Sequence, residues 1–347
     1  MIRIGLVSVI LLLVGVGASN AQDPVDRPLF TDDSTLELTI EGPIRQLRRD
    51  GAERPERDGL VRYLDAEGQE LVLDVAIRVR GNTRLDFCSF PPLRLNFRRR
   101  QLEGTVFAGQ NKLKLVTVCR WGRAYRDYIA QEYQIYRAYN ALTDRSFRVR
   151  WANIEYVDTE RRRRSFSEPA FLIEEDWEVA ERLGMETLEV ESLTASELDP
   201  RATALVSLFQ FMIGNTDWSG TSGRPGDDCC HNGKVLGAPN SSVGRVLLPY
   251  DFDYAGLIST EYAQPNEGLS ISSVRERLYR GYCATNAELA WAVTRMNEQR
   301  DRVQEAFDAD PATTGARRRA LRYLNESYEI INDAELRASQ IIEACRE

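Results

Sequence analysis

Histidine is almost missing from this sequence: there is one, His231, in 347 residues. Chemistry that needs two imidazoles is thereby excluded, and a Ser-His-Asp hydrolase would depend wholly on that residue. No Gly-x-Ser-x-Gly elbow is present to support one. A basic excess is also missing. The formal net charge is −8 and the isoelectric point is near 5.1, which argues against a general nucleic-acid binder. The arginine runs Arg98–Arg100 and Arg161–Arg164 are local, and the second reads as a solvated hairpin tip between two strands. Internal repeats and low-complexity segments are absent.

Long apolar runs are scarce too, with one at the start of the chain. "MIRIGLVSVILLLVGVGASNAQD" has a single arginine, an apolar core to Val16, and small residues at Ser19 and Ala21. This reads as a secretory signal peptide over residues 1–21, cut after Ala21. A retained anchor is the lesser alternative, because the apolar stretch is short for a spanning helix. The expectation is a secreted or periplasmic protein with no membrane span after cleavage. Disulfides are the default for its six cysteines in such a compartment. Cys88 and Cys119 flank two strand-like runs and are paired on that ground. One of Cys229 and Cys230 is expected to bond Cys283, leaving the other free or paired with Cys345. A zinc site from Cys229, Cys230 and His231 lacks the usual ligand spacing.

Residues 22–33 read as a flexible lead-in. From residue 34 to 175 the pattern is mainly strand: "LELTIEG", "LVLDVAIRVRGN", "LRLNF" and "KLKLVTV" alternate, and "FRVRWANIEYVD" and "EPAFLIEE" follow. A tyrosine-rich amphipathic helix over 123–142 interrupts them. From 176 to 347 the character is mainly helical. Pro200 opens one helix at a first-turn position, and Thr285 with Glu288 has capping-box spacing. Two further helices are expected over about 312–325 and 328–345. Two short strands, 232–236 and 245–248, sit inside this half. Segregated strands and helices predict an α+β chain in two lobes.

Three polar clusters stand out in the second half. "FMIGNTDWS" ends an apolar helix and delivers Asn215 and Asp217. "CCHN" places His231 and Asn232 before a strand. "LLPYDFDYAGL" ends a strand with Asp251 and Asp253 alternating with aromatics. Asp, Asn and Asp at element ends are what phosphoryl transfer requires: one carboxylate orients the acceptor hydroxyl, and an Asn and a second Asp give hard oxygen ligands to Mg²⁺. A strand lysine paired with a helix glutamate completes such a site; Lys112 or Lys114 with Glu132 could supply it. Simpler roles stand beside these. Asp217 could terminate a helix, Asp251 and Asp253 could shape a turn, the lysines could face solvent, and Glu132 could pair with neighbouring arginines. "DFDYAGLISTEY" is no EF-hand, because its positions 5 and 12 hold Ala255 and Tyr262.

Over about residues 70–255, "RGNTRLDFCSFPPLRLNF", "EPAFLIEED" and "GNTDWS…HN…LLPYDFDYAGL" resemble the CotH-type secreted kinases and, more distantly, the HipA-type kinases. The resemblance implies a two-lobed, atypical protein-kinase-like fold, with a sheet-rich N-terminal lobe and a mainly helical C-terminal lobe. It implies Mg²⁺ and ATP as cofactors and a protein or small-molecule hydroxyl as acceptor. By position it makes Asp217 the catalytic aspartate, Asn232 and Asp251 metal ligands and Asp253 an auxiliary one. Lys114 would grip phosphate with Glu132 as partner, Glu174 would lie at the adenine side, and His231 would position the loop or a phosphate. The sequence departs from the family in three places. Asp217 and Asn232 are fifteen residues apart, no lysine follows Pro91-Pro92, and no Gly-rich phosphate loop is present. The alternative is a non-catalytic binding or envelope-assembly protein.

Overall fold

The computed structural model describes residues 27–160 and 164–347. The leader read over residues 1–21 and most of the Arg161–Arg164 run lie outside the described residues. In chain order the strands are β1 (Leu36–Gly42), β2 (Arg57–Leu64), β3 (Glu70–Val79), β4 (Leu93–Phe97), β5 (Lys112–Thr117), β6 (Val149–Asp158), β7 (Arg164–Ile173), β8 (Glu186–Leu188), β9 (Gly233–Gly237) and β10 (Val246–Pro249). The α-helices are α1 (Ile44–Leu47), α2 (Thr83–Phe87), α3 (Arg123–Leu142), α4 (Asp176–Arg182), α5 (Pro200–Ile213), α6 (Leu289–Glu298), α7 (Arg300–Asp308), α8 (Thr314–Asn332) and α9 (Ala334–Arg337).

The first seven strands close into a mixed barrel in the order β1-β2-β3-β4-β5-β7-β6. Closure comes from a parallel pairing of β1 with β6, from Leu36 opposite Ala152 to Gly42 opposite Asp158. The other neighbours are antiparallel. Alternation along each strand fills the interior with Ile40, Val61, Val75, Ile77, Leu93, Leu95, Leu113, Leu115, Ile154 and Leu172, all buried. Each such side chain contributes about 1.5–3 kcal/mol by leaving water. Gly59 is required where β1, β2 and β3 crowd together, since a Cβ there would lie 2.5 Å from Ile77 Cδ1 and 2.6 Å from the Glu41 carbonyl.

This closed barrel overturns the expected two-lobed kinase-like fold. Alternating strands read the same in an open sheet and in a barrel. What decides is the long-range β1–β6 pairing, which leaves no edge for a separate lobe. Nor does the core divide near residue 175. The larger core starts on the barrel's outer face at Val116, Trp151, Phe171 and Ile173. It continues through α3 and α5 to Phe252, Met296, Phe307, Tyr323 and Ile341. A small antiparallel sheet, β10-β9-β8, packs beside it.

Local expectations fared unevenly. The helix over 123–142 is α3, and Pro200 opens α5 with the Asp199 side chain accepting the Ala202 N–H. Thr285 does not cap: its hydroxyl donates to Tyr282 O, and residues 283–288 form a 3-10 turn ahead of α6. The two last helices are instead one long α8 followed by a short α9 and a π turn over residues 338–342. Part of the lead-in is tied down: Leu29 is fully buried, and Arg150 donates to Leu29 O and Asp32. The Cys88–Cys119 disulfide forms as expected. The other pairing is corrected, because Cys229 bonds Cys230 and Cys283 bonds Cys345. Among the described residues no helix is long and apolar enough to cross a membrane.

Candidate functional site

Helix α5 is buried along nearly its whole length and stops at Gly214, whose φ of 65° is the left-handed conformation glycine supplies without strain. A Cβ at Gly214 would meet the Tyr323 hydroxyl at 2.0 Å. Asn215 then shapes the turn: its Oδ1 accepts the Asp217 N–H at 3.0 Å. Asp217, 5% exposed, is aimed at three donors. His231 Nε2 stands 2.7 Å and Asn266 Nδ2 3.0 Å from Oδ1, while Asn232 Nδ2 lies 2.9 Å from Oδ2. Burial alone would raise this carboxyl. The His231 hydrogen bond and charge, with Asn266 and Arg224, outweigh it and hold Asp217 below the usual carboxylate value.

Asn232 and Asp251 both adopt the left-handed region, with φ of 48° and 61°. Asn and Asp tolerate that conformation better than other non-glycine residues, and such residues gather where function over-determines the backbone. Asn232 O accepts the Tyr250 N–H, joining the start of β9 to the end of β10. The Asp251 N–H donates to Tyr136 Oη at 2.9 Å, which docks the strand end on α3. The Asp251 carboxylate is the open one, with 45% of its side chain exposed, whereas that of Asp253 is 9% exposed.

Arg84 is the hub of the site and was not identified from the sequence. Carried by α2, it donates to Glu132 at 2.9 Å, Asp253 at 3.0 Å and Asp251 at 3.4 Å. Tyr262 adds a hydroxyl to Asp253 at 3.1 Å. One guanidinium serves three carboxylates. Burial therefore pushes Glu132 up to about 7 against the pull of Arg84, and raises Asp253 as well. Burial disfavours the Arg84 cation, but Asp253 and Glu132 hold it well above its usual value. The "RGNTR" stretch was the available signal. Its final arginine had no visible partner, because those partners lie 48, 167 and 169 residues away.

Asp217, His231, Asn232, Asp251, Asp253 and Glu132 line one cleft of about 580 Å³, with Arg80, Arg84 and Arg94 on its barrel side. The expected Lys114–Glu132 pair is not formed. Lys114 bonds Glu175 at 3.3 Å, and that carboxylate also accepts Arg94 at 2.7 Å. Burial pushes the Lys114 amine down, and Glu175 opposes it. Glu174 does not line the cleft. Its carboxylate binds the Arg148 N–H and the Arg182 guanidinium, fixing the passage from β7 to α4.

Among the described residues no group of three or more His, Cys, Asp and Glu is arranged to hold a metal ion. Both Asp217 oxygens and the Asp253 carboxylate already accept hydrogen bonds. The oxygens left without a hydrogen bond are Asp251 Oδ2, Asp253 Oδ1 and the Asn232 amide oxygen, since Arg84 reaches Asp251 Oδ1 and Asp253 Oδ2. That set does not make an all-protein cage. It does fit Mg²⁺ held by one or two protein oxygens with the remainder from phosphate and water.

The fold and cleft define a barrel-and-helix protein with a mixed-charge, small-molecule-sized site. No family model matches the chain, and no curated protein matches it.

Proposed function

We propose that this cleft transfers the γ-phosphoryl group of Mg²⁺-ATP to a hydroxyl of a protein or small molecule. The observation that carries the reading is the convergence of Asp217, Asn232 and Asp251 on one cleft, from three separate chain segments. Its volume lies in the range of small-molecule sites. Asp217, with its depressed carboxyl, is a weak base and orients the acceptor hydroxyl rather than stripping it early. The acceptor oxygen bonds to the γ-phosphorus as the bond to the bridging oxygen breaks, ADP leaves, and the hydroxyl proton passes to solvent. Asp251 and Asn232 would hold Mg²⁺, which neutralises phosphate charge. The short motifs shared with the CotH-type kinases support this chemistry; the barrel architecture lends it nothing. Three disulfides, with the leader-like sequence pattern of residues 1–21 and a cleavage site inferred after Ala21, support a secreted or periplasmic location.

A second reading has its own observation. Arg84 already neutralises the carboxylates that would otherwise call for a cation, which favours a non-catalytic ligand-binding or assembly role. Thermal shift with Mg²⁺-ATP and labelled-phosphate transfer, on wild type and Asp251→Ala, decides between them. Phosphotransfer predicts a stabilising shift and label transfer, both lost in the variant. An equal or absent shift without transfer supports the binding role.

A further inference from the structure

The outer face of the barrel carries a row of cations that the catalytic reading does not use. In register across three strands stand Arg78 on β3, Arg94 on β4 and Lys114 on β5. Their neighbours Ile77, Val79, Leu93, Leu95, Leu113 and Leu115 point inward, so the three cations share the outward face. Arg80 follows on the same face one pleat beyond Arg78, and Arg78, Arg80 and Arg94 all line the cleft. Like charges directly opposite on paired strands repel. A single carboxylate, Glu175, answers both Arg94 and Lys114. Arg78 and Arg80 line the wall of the cleft half-buried, and neither guanidinium makes a side-chain hydrogen bond or ion pair among the described residues. Arg224 and Lys234 line the same cleft, Arg224 lying 3.8 Å from Asp217. Carboxylates line the cleft as well, Asp176, Glu189, Asp227 and Asp228 among them; what sets this wall apart is the in-register row of cations on β3, β4 and β5.

We infer that this wall is a polyphosphate-binding subsite, in which Arg78, Arg80 and Arg94 grip successive phosphates along the outer face of β3 and β4. Neighbouring strands lie about 4.8 Å apart, so cations on successive strands suit an extended polyanion better than a single phosphate. Guanidinium forks match phosphate oxygens two at a time. The inference deepens the phosphotransfer reading by moving phosphate recognition from the Lys114–Glu132 pair to the arginine wall. Its test is metal-free, so that the two fail separately.

The experiment is calorimetric titration of the full chain with sodium tripolyphosphate in EDTA, for wild type, Arg78→Ala, Arg80→Ala and Arg98→Ala. Arg98 is an exposed arginine just beyond β4 and serves as the control. The expected result is binding that weakens about tenfold or more in each of the first two variants. Binding should be unchanged in Arg98→Ala. Arg78→Gln and Arg80→Gln, checked for native circular dichroism, replace any alanine variant that fails to fold. ATP binding more tightly than tripolyphosphate identifies a nucleotide as the ligand; equal affinity identifies free polyphosphate. Either supports the subsite. If wild type binds and the arginine variants do not, while no label transfer occurs, the subsite stands and phosphotransfer falls. Absence of binding in wild type, equal binding in the arginine variants, or tighter binding of a sulfated disaccharide overturns the subsite.

Discussion

Replacing Glu132 by glutamine should stabilise the protein at pH 8 and leave it nearly unchanged at pH 5. Glu132 is 2% exposed and shares the Arg84 guanidinium with Asp253 and Asp251. Burial raises its carboxyl from the ordinary 4.5 to about 7. Between those values the folded chain holds a proton that the unfolded chain has released. Stability therefore falls as pH rises through this window, by about 3 kcal/mol once above pH 7. Glutamine has the shape of the protonated acid and still offers an oxygen to Arg84, but never acquires the buried charge. The variant should gain up to about 3 kcal/mol over wild type at pH 8, and under about 1 kcal/mol at pH 5, where folded wild-type Glu132 is already protonated. Glu178, also raised to about 7 by burial, titrates in both proteins and cancels in the difference. Urea unfolding at pH 5, 6, 7 and 8, with EDTA to exclude adventitious metal, measures it. A variant that is less stable at pH 8, or whose advantage does not grow from pH 5 to pH 8, refutes the account of a carboxylate excess around Arg84.

Two more changes probe the scaffold. Removing the Cys283–Cys345 disulfide by a double serine substitution opens a loop of separation 62, for which the loop-entropy relation gives a loss of about 4 kcal/mol; a loss under about 1 kcal/mol on urea unfolding would rule out that cross-link as a major constraint. Gly214→Ala combines a φ of 65° with a collision against Tyr323, whereas Gly184→Ala has a φ of 64° and open space. The first should cost about 2–4 kcal/mol and the second about 1 kcal/mol, and equal losses in a thermal melt would show that Tyr323 does not hold the end of α5.

What could be read from the sequence was whatever is set locally. α3, the start of α5, and strands β9 and β10 follow from periodicity and capping, and Asp217, Asn232 and Asp251 stand at element ends marked by their own neighbours. The Cys88–Cys119 pair was visible because two strand runs bracket it. What escaped was set by distance along the chain. Barrel closure rests on β1 meeting β6, more than a hundred residues later. Lys114 and Glu132 looked like partners because a strand and the next helix carry them, yet Glu175 and Arg84 reach them first. The link between Cys229 and Cys230 joins neighbours, where spacing carries no signal for one partner over another. Asn266 reaches Asp217 from a loop whose sequence marks no element end.

The contact between His231 and Asp217 has a practical consequence. Because no other histidine exists in the chain, every imidazole resonance in an NMR spectrum of untagged protein comes from the cleft itself. Titration with nucleotide, polyphosphate or acid could then be followed at the candidate catalytic aspartate's nearest neighbour without resonance assignment. A polyhistidine purification tag left in place would bury that reporter under its own signals.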